Sequence, residues 1–279
     1  MSALLLAVFF FSYNSCTPEK RSPTIAFPYL WLDEPGFGGD IDQQGIVEPS
    51  GICFHPLRKT LFVVSDEGEL FEIETDGTPV SNVVIPPGGL DLEDVTVHPR
   101  TGLLYLVVEG DDVVLEFDPD KKEITRMFPV NREYEGDPNF LQKKVEKFDN
   151  GLESIAFVPD EDHPEGGTFY MGNQWDPSCI MEVLIPIESS HAETAEARIL
   201  RILTFDIKDP AAMHYDPKKK LLYVINDADN IFVELTLEGK IVKEYAFLGN
   251  DQEGIAWDEE GYLYIAQDSG GIIHVKDLR

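Results

Sequence analysis

The sequence predicts an all-β protein: a five-bladed β-propeller of four-stranded antiparallel blades. Three observations predict it. First, a short phrase recurs five times, as Pro49-Ser50-Gly51-Ile52, Leu92-Glu93-Asp94-Val95, Leu152-Glu153-Ser154-Ile155, Pro210-Ala211-Ala212-Met213 and Gln252-Glu253-Gly254-Ile255. Second, each copy opens an apolar strand, followed by a polar turn and a second strand of Leu-Phe or Leu-Tyr type. Third, the period is that of a four-stranded blade. Ile52 to Val95 spans 43 residues and Met213 to Ile255 spans 42. Val95 to Ile155 spans 60 and Ile155 to Met213 spans 58, the excess lying in insertions.

Unit one begins at Glu48, turns at His55-Pro56 and continues through Leu61–Asp66 and Leu70–Ile73. Asp76-Gly77 is a hairpin signal before a fourth strand near Val80–Ile85. Unit two repeats this with Val95–Val97, a turn at His98-Pro99, Leu104–Glu109, Val114–Phe117 and Ile124–Val130. Unit three is irregular. Ile155–Phe157 and Phe169–Gln174 are separated by a longer turn, and Ile180–Pro186 and Ile199–Phe205 flank a polar run, Glu188–Ala197, read as a loop or short helix. A second insertion, Asn131–Asp149, reads as holding a short helix near Phe140–Lys147. Long loops of this kind are candidate lids. Unit four gives Met213–Tyr215, Leu222–Asp227, Phe232–Leu235 and Ile241–Phe247. Unit five gives Ile255–Trp257, Leu263–Asp268 and Ile272–Val275, then ends one strand short. An open edge invites aggregation, so Thr24–Asp33 is expected to supply the missing outer strand. A sixth blade would need a further unit that the repeats do not contain.

With 279 residues, 43% of them hydrophobic, the chain can bury one large core. The net charge of −30, from 52 acids against 22 bases, repels nucleic-acid phosphates and anionic headgroups, and points to cations as counterparts. Residues 1–16 read as an export leader: Ala3–Phe11 is wholly apolar, too short to span a membrane but suited to a signal-peptide core. Ser15-Cys16 after it resembles a lipoprotein cleavage site, which makes Cys16 a candidate lipidation site. Residues 17–23 then form a linker and 24–279 the propeller domain. The expected location is the bacterial cell envelope, periplasmic or outer, held at the membrane by a lipid anchor or by an uncleaved N-terminal segment. Cys53 and Cys179 read as buried hydrophobes, since two cysteines make no disulfide framework and no Cys/His cluster for zinc is present.

Equivalent propeller positions lie on a ring. Ser50, Glu93, Glu153, Ala211 and Glu253 occupy one such position, and Glu48, Asp91, Gly151, Asp209 and Asp251 lie two residues upstream. A second column ends the second strands: Asp66, Glu109, Gln174, Asp227 and Asp268. Any single acid here fits a solvated turn, but so many converging on an axis demand protonation or a cation. Hard oxygen donors suit Ca²⁺ first and Mg²⁺ second. The alternative is a wet channel in which they hold water or backbone N–H groups. A third column, Glu72, Glu116, Glu182 and Glu234, alternates with apolar neighbours and is read as inter-blade or solvated, not a site. None of the six histidines completes a nucleophilic constellation, and neither GxSxG nor HExxH occurs. His214 is placed to face a neighbouring blade, and Trp31 and Trp175 either line a rim or, as is commoner, pack.

The order of these phrases, Ser-Gly in unit one and Glu in units two, three and five, resembles the SdiA-regulated family of bacterial envelope propellers from about residue 46 onward. Asp209–Pro217 and Gln252–Ile265 are similar to that family's fourth and fifth blades. The resemblance implies calcium binding, with Glu93, Glu153 and Glu253 as the matching acids and Glu109 as the second-strand match. Ala211-Ala212 and Gln174 depart from the family pattern. With Asp227 from the second column, the candidate metal ligands are Glu93, Glu109, Glu153, Asp227 and Glu253. No catalytic residue is assigned. Expected functions are recognition of a small molecule or envelope protein on one face of a monomeric, Ca²⁺-holding propeller, or, alternatively, a calcium-dependent lactonase- or esterase-like hydrolysis in which the ion polarises a carbonyl or phosphoryl oxygen.

Overall fold

The protein is described here as a computed structural model covering residues 25–30, 39–142, 151–247, 249 and 251–279. The leader with Cys16, the linker, Trp31 and residues 143–147 of the expected helix lie outside the described residues.

The chain is all-β. β1 (Tyr29–Leu30) and β2 (Gly39–Asp40) precede a meander of β3 (Pro49–His55), β4 (Thr60–Ser65), β5 (Glu69–Ile73) and β6 (Pro79–Val84). The next comprises β7 (Leu92–Val97), β8 (Leu104–Val108), β9 (Val113–Asp118) and β10 (Glu123–Asn131). Then come β11 (Leu152–Pro159), β12 (Gly167–Asn173), β13 (Cys179–Leu184) and β14 (Ala197–Thr204). β15 (Pro210–Asp216), β16 (Leu221–Asn226), β17 (Ile231–Thr236) and β18 (Ile241–Ala246) follow, and β19 (Gln252–Trp257), β20 (Tyr262–Gln267) and β21 (Ile272–Asp277) end the chain. A 3-10 turn, Asp227–Asp229, links β16 to β17.

Within each meander the pairing is antiparallel, and the first strands β3, β7, β11, β15 and β19 pack in a cycle that returns to β3. Two meanders are joined by a short parallel pairing of β10 with β14, Val130 to Ala197 and Asn131 to Arg198, which makes one eight-stranded sheet. β-Branched and aromatic residues fill the second strands, β4, β8, β12 and β16, because both of their faces are buried, whereas the fourth strands β6 and β18 are largely exposed. Apolar clusters lie between neighbouring meanders. Val64, Leu70, Leu104 and Phe117 form one, and Tyr105, Phe128, Phe157 and Phe169 another. Each large side chain so buried contributes about 1.5–3 kcal/mol.

The last meander is completed from the N-terminal side. Tyr29 and Leu30 pair with Asp277 and Lys276, and Gly39 and Asp40 with His274 and Ile273. Two short strands therefore share the edge where a single strand is expected. Phe27 N–H donates to Ala246 O at 2.9 Å, and its ring packs edge-on against Phe232, Tyr245 and Phe247.

Of the two alternatives for the polar run, Glu188–Glu196 takes the turn and loop, and residues 140–142, the described start of the expected helix, are not helical. Trp175 is 58% exposed rather than packed, since its loop leaves β12 on the surface beside the turn at Asp176-Pro177.

Candidate functional site

In every meander the first strand carries a register shift near its start, at Pro49/Gly51, Leu92/Val95, Leu152/Ser154, Pro210/Ala212 and Gln252/Gly254. Ser50, Glu93, Glu153, Ala211 and Glu253 all fall within these shifts. A bulge bends the strand and re-aims its side chain. The preceding turn is set by a repeated bond. The N–H of Asp66, Glu109, Gln174, Asp227 and Asp268 donates to the carbonyl of Glu48, Asp91, Gly151, Asp209 and Asp251, respectively, at 2.9–3.3 Å. Glu48, Asp209 and Asp251 hold left-handed φ values of 47°, 47° and 53° to make that turn. Start of first strand and end of second are thus tied together, which brings both acid columns to one mouth.

The mouth is a cavity of about 240 Å³ lined by Ser50, Asp66, Asp91, Glu93, Glu109, Glu153, Gln174, Glu253 and Asp268. No lysine or arginine lines it. Carboxylate oxygens of Glu93, Glu109 and Glu153 lie within 4.8 Å of one another, as do those of Asp66, Asp91 and Glu93. Glu93 belongs to both groups. Gly151 makes room here, for a Cβ at that position would collide with the Glu109 side chain.

Burial pushes the Glu93 carboxyl well above its usual range, and Asp66, Asp91, Glu109 and Glu253 add to the shift. Glu153 is raised in the same way, by burial and then by Glu93, Glu109 and Glu253. Burial, with Asp227 and Asp209 next, pushes Glu253 up to about 9. Asp66 rises to about 7 through burial and the charges of Asp91 and Asp268. Each shift reports the same deficit: negative charge gathered in a desolvated place without a positive partner.

Of the five expected ligands, Glu93, Glu109, Glu153 and Glu253 line the cavity and Asp227 does not. Asp227 opens the 3-10 turn, and its Oδ1 accepts from Gln252 N–H at 3.1 Å, a bond that holds it to β19. It still lies close enough to raise Glu253. Burial raises the Asp209 carboxyl, and the Gln174 amide partly offsets it.

Asp94 was assigned no role from the repeat, yet it is buried beneath the acids. Its Oδ2 accepts from Ile155 N–H at 2.8 Å and its Oδ1 from Val95 N–H at 2.8 Å. Burial nonetheless holds the carboxyl well above its usual range, although these N–H groups pull the other way. Inner strands leave backbone donors facing the centre, and Asp94 satisfies them across meanders. Ser50 and Ser154 act alike, their hydroxyls donating to Leu92 O and Pro210 O. No histidine or cysteine lines the cavity, and the Ser50 hydroxyl is engaged with Leu92 O.

Among solved structures, glutaminyl cyclase from Myxococcus xanthus is similar at a TM-score of 0.54 and 10% identity, over 85% of this chain and 93% of that one. A hydrazine synthase chain from Kuenenia stuttgartiensis (15% identity, covering 85% of this chain and 57% of that one) and a mitotic checkpoint complex chain (11%, 96% and 69%) both align at 0.46 and carry no argument. At such identities the likeness bears on the fold alone, and that fold is propeller-like. No curated protein matches the chain in sequence. The model of the SdiA-regulated family matches residues 32–269. The chain therefore belongs to the SdiA-regulated family.

Proposed function

We propose that the protein is a five-bladed β-propeller of the bacterial cell envelope that holds a Ca²⁺-like cation in its acid-lined mouth and uses that face to recognise a small molecule or an envelope protein. One observation carries the cation: donor oxygens of Glu93, Glu109 and Glu153 converge within 4.8 Å in a cavity that no basic side chain lines. Carboxylate oxygens so close can share one ion, and an all-oxygen donor set of this kind suits Ca²⁺ first and Mg²⁺ second. Glu153 is 6% exposed and lines the cavity. The closed cycle of first strands and the two short strands completing the last sheet support five blades. The family and the apolar residues before Cys16 support the envelope location and a lipid anchor.

The test is thermal unfolding of metal-stripped protein titrated with CaCl₂ or MgCl₂. Ca²⁺ is expected to raise Tm saturably and more than Mg²⁺, and Glu153→Gln to reduce the rise sharply. A flat response to both ions would overturn the cation reading. A lactone and ester screen with and without chelator separates recognition from hydrolysis: chelator-sensitive turnover would establish the enzyme reading instead. Cys16→Ser is expected to move the protein from the membrane pellet to the soluble fraction.

A further inference from the structure

A second and larger cavity, of about 540 Å³, opens at the opposite end of the first strands. The acid mouth is built from strand starts. This funnel is built from strand ends and the turns that follow, including Val97, Pro99, Pro159 and Pro217. Its volume lies within the range of about 300–1,000 Å³ usual for small-molecule sites. Phe157, Met213 and Trp257 give it an apolar wall.

The neck between the two openings is tight. The residues there are Gly51, Asp94, Ser154, Ala212 and Gly254, and a Cβ on Gly51 would lie 2.5 Å from Asp94 Cα. A ligand in the funnel therefore meets a floor and does not reach the acids. His214 forms part of the wall, its ring 5.0 Å from that of Trp257. Burial pushes its pKa down to about 4, so it adds no charge at neutral pH.

The mouth of the funnel carries Lys218 and Lys219. These are two of only 22 basic residues in a chain of net charge −30. Five carboxylates line the same funnel; Asp277 is held by Arg279, Glu260 stands at the rim, and the other three are engaged. Asp216 accepts from Tyr223 Oη at 2.6 Å, Asp258 from Tyr264 Oη at 3.0 Å, and Glu259 pairs with Lys59 at 2.6 Å. Neither Lys218 nor Lys219 makes a close ion pair among the described residues; the Lys219 charge helps to hold the Asp216 carboxyl below its usual range, and Lys219 Nζ rests 5.7 Å from the Tyr223 ring centre.

We propose that this funnel binds a small amphiphilic anion, its apolar body against Val97, Phe157, Met213 and Trp257 and its charged head at Lys218 and Lys219. Apolar enclosure supplies affinity, and the paired ammonium groups supply orientation and charge selection. The site is separate from the acid mouth and does not depend on a cation there.

Two dyes of the same ring skeleton test it in the presence of chelator: anilinonaphthalene sulfonate, an anion, and phenylnaphthylamine, which is uncharged. The folded wild-type protein is expected to bind each saturably, one per chain. Lys218→Glu with Lys219→Glu should weaken the sulfonate by at least about tenfold and leave the neutral dye within about twofold, since only the head-group attraction is inverted. Val97→Trp, which fills the funnel, should abolish both while the protein still melts cooperatively. The proposal is overturned if wild-type binds neither dye saturably, if the lysine variant binds both as wild-type does, or if a folded Val97→Trp retains both. Should Val97→Trp fail to fold, the lysine variant decides alone.

Discussion

Ser50, Glu93, Glu153, Ala211 and Glu253 owe their common position to five bulges, one at the head of each first strand. Where the re-aimed residue is glutamate it enters the cavity, and the residue after it must be accommodated where first strands crowd. Gly51 is the tightest case, with backbone of Asp94 where its Cβ would stand. Gly51→Ala is expected to cost about 1–3 kcal/mol in denaturant unfolding, the usual penalty of overpacking where the neighbour is main chain. An unchanged midpoint would mean that the neck is looser than described. The acids at the bulge were legible because the repeat aligns them. Asp94 was not, because its equivalents are Gly51, Ser154, Ala212 and Gly254, and nothing in the phrase marks one copy as the acceptor for neighbouring strands.

At the scale of the strand, the third column has a structural explanation. Glu72, Glu116, Glu182 and Glu234 lie opposite Phe62, Tyr105, Tyr170 and Tyr223 on the neighbouring second strands, and each is paired with an arginine. The fifth copy substitutes His274, stacked 4.7 Å from Tyr264. Glu234 takes its partner from the end of the chain. Arg279 Nη1 donates to Glu234 at 2.9 Å and Nη2 to Asp277 at 2.8 Å. Its guanidinium also lies 4.3 Å from the Tyr223 ring centre and 4.4 Å from that of Phe232. Arg279→Ala is expected to lose about 3 kcal/mol, because the buried Glu234 carboxylate loses its cation, while the half-buried Asp277 keeps Trp257 Nε1–H. Arg279→Lys should recover only part of this, having neither fork nor planar face. Both are read by denaturant unfolding, and an alanine variant as stable as wild-type would remove the pair from the closure. The alternation along these strands was readable as sequence, whereas the arginine that reaches each glutamate is set by how the sheets stack.

For the whole molecule the acid mouth sets a pH dependence. Glu253 has an ordinary pKa of 4.5 that folding raises to about 9, and Glu93 and Glu153 are raised in the same direction. Such a group stabilises the fold fully below its unfolded pKa, and this is lost as pH climbs through the folded value. The metal-free protein should therefore lose stability between about pH 5 and pH 9, by about 1.4 kcal/mol per pH unit for each proton that the folded state retains. A bound cation replaces those protons, so saturating Ca²⁺ should flatten or reverse the slope. Glu72 and Glu116 act oppositely: Arg58 and Arg126 outweigh burial and hold them below the usual range, and their contribution is lost as the solution becomes acidic. Thermal melts across this range with and without Ca²⁺ check both limbs. A metal-free Tm that rises from pH 5 to pH 8 would contradict the burial of the acids.

The sequence by itself determined the repeat, the order of the strands within each unit and the alignment of the glutamates, because strand patterning and turn chemistry are local and recur with the period. It also marked a closing strand before unit one, since the last unit lacks its fourth. Only the tertiary structure decided which aligned residues share a cavity. Glu109 enters over Gly151, while Asp227 is turned away to hold Gln252 N–H. The same packing placed Asp94 at the neck and opened an apolar funnel beneath it. These are distances between separate meanders, and no pattern within one repeat encodes how closely its neighbours approach.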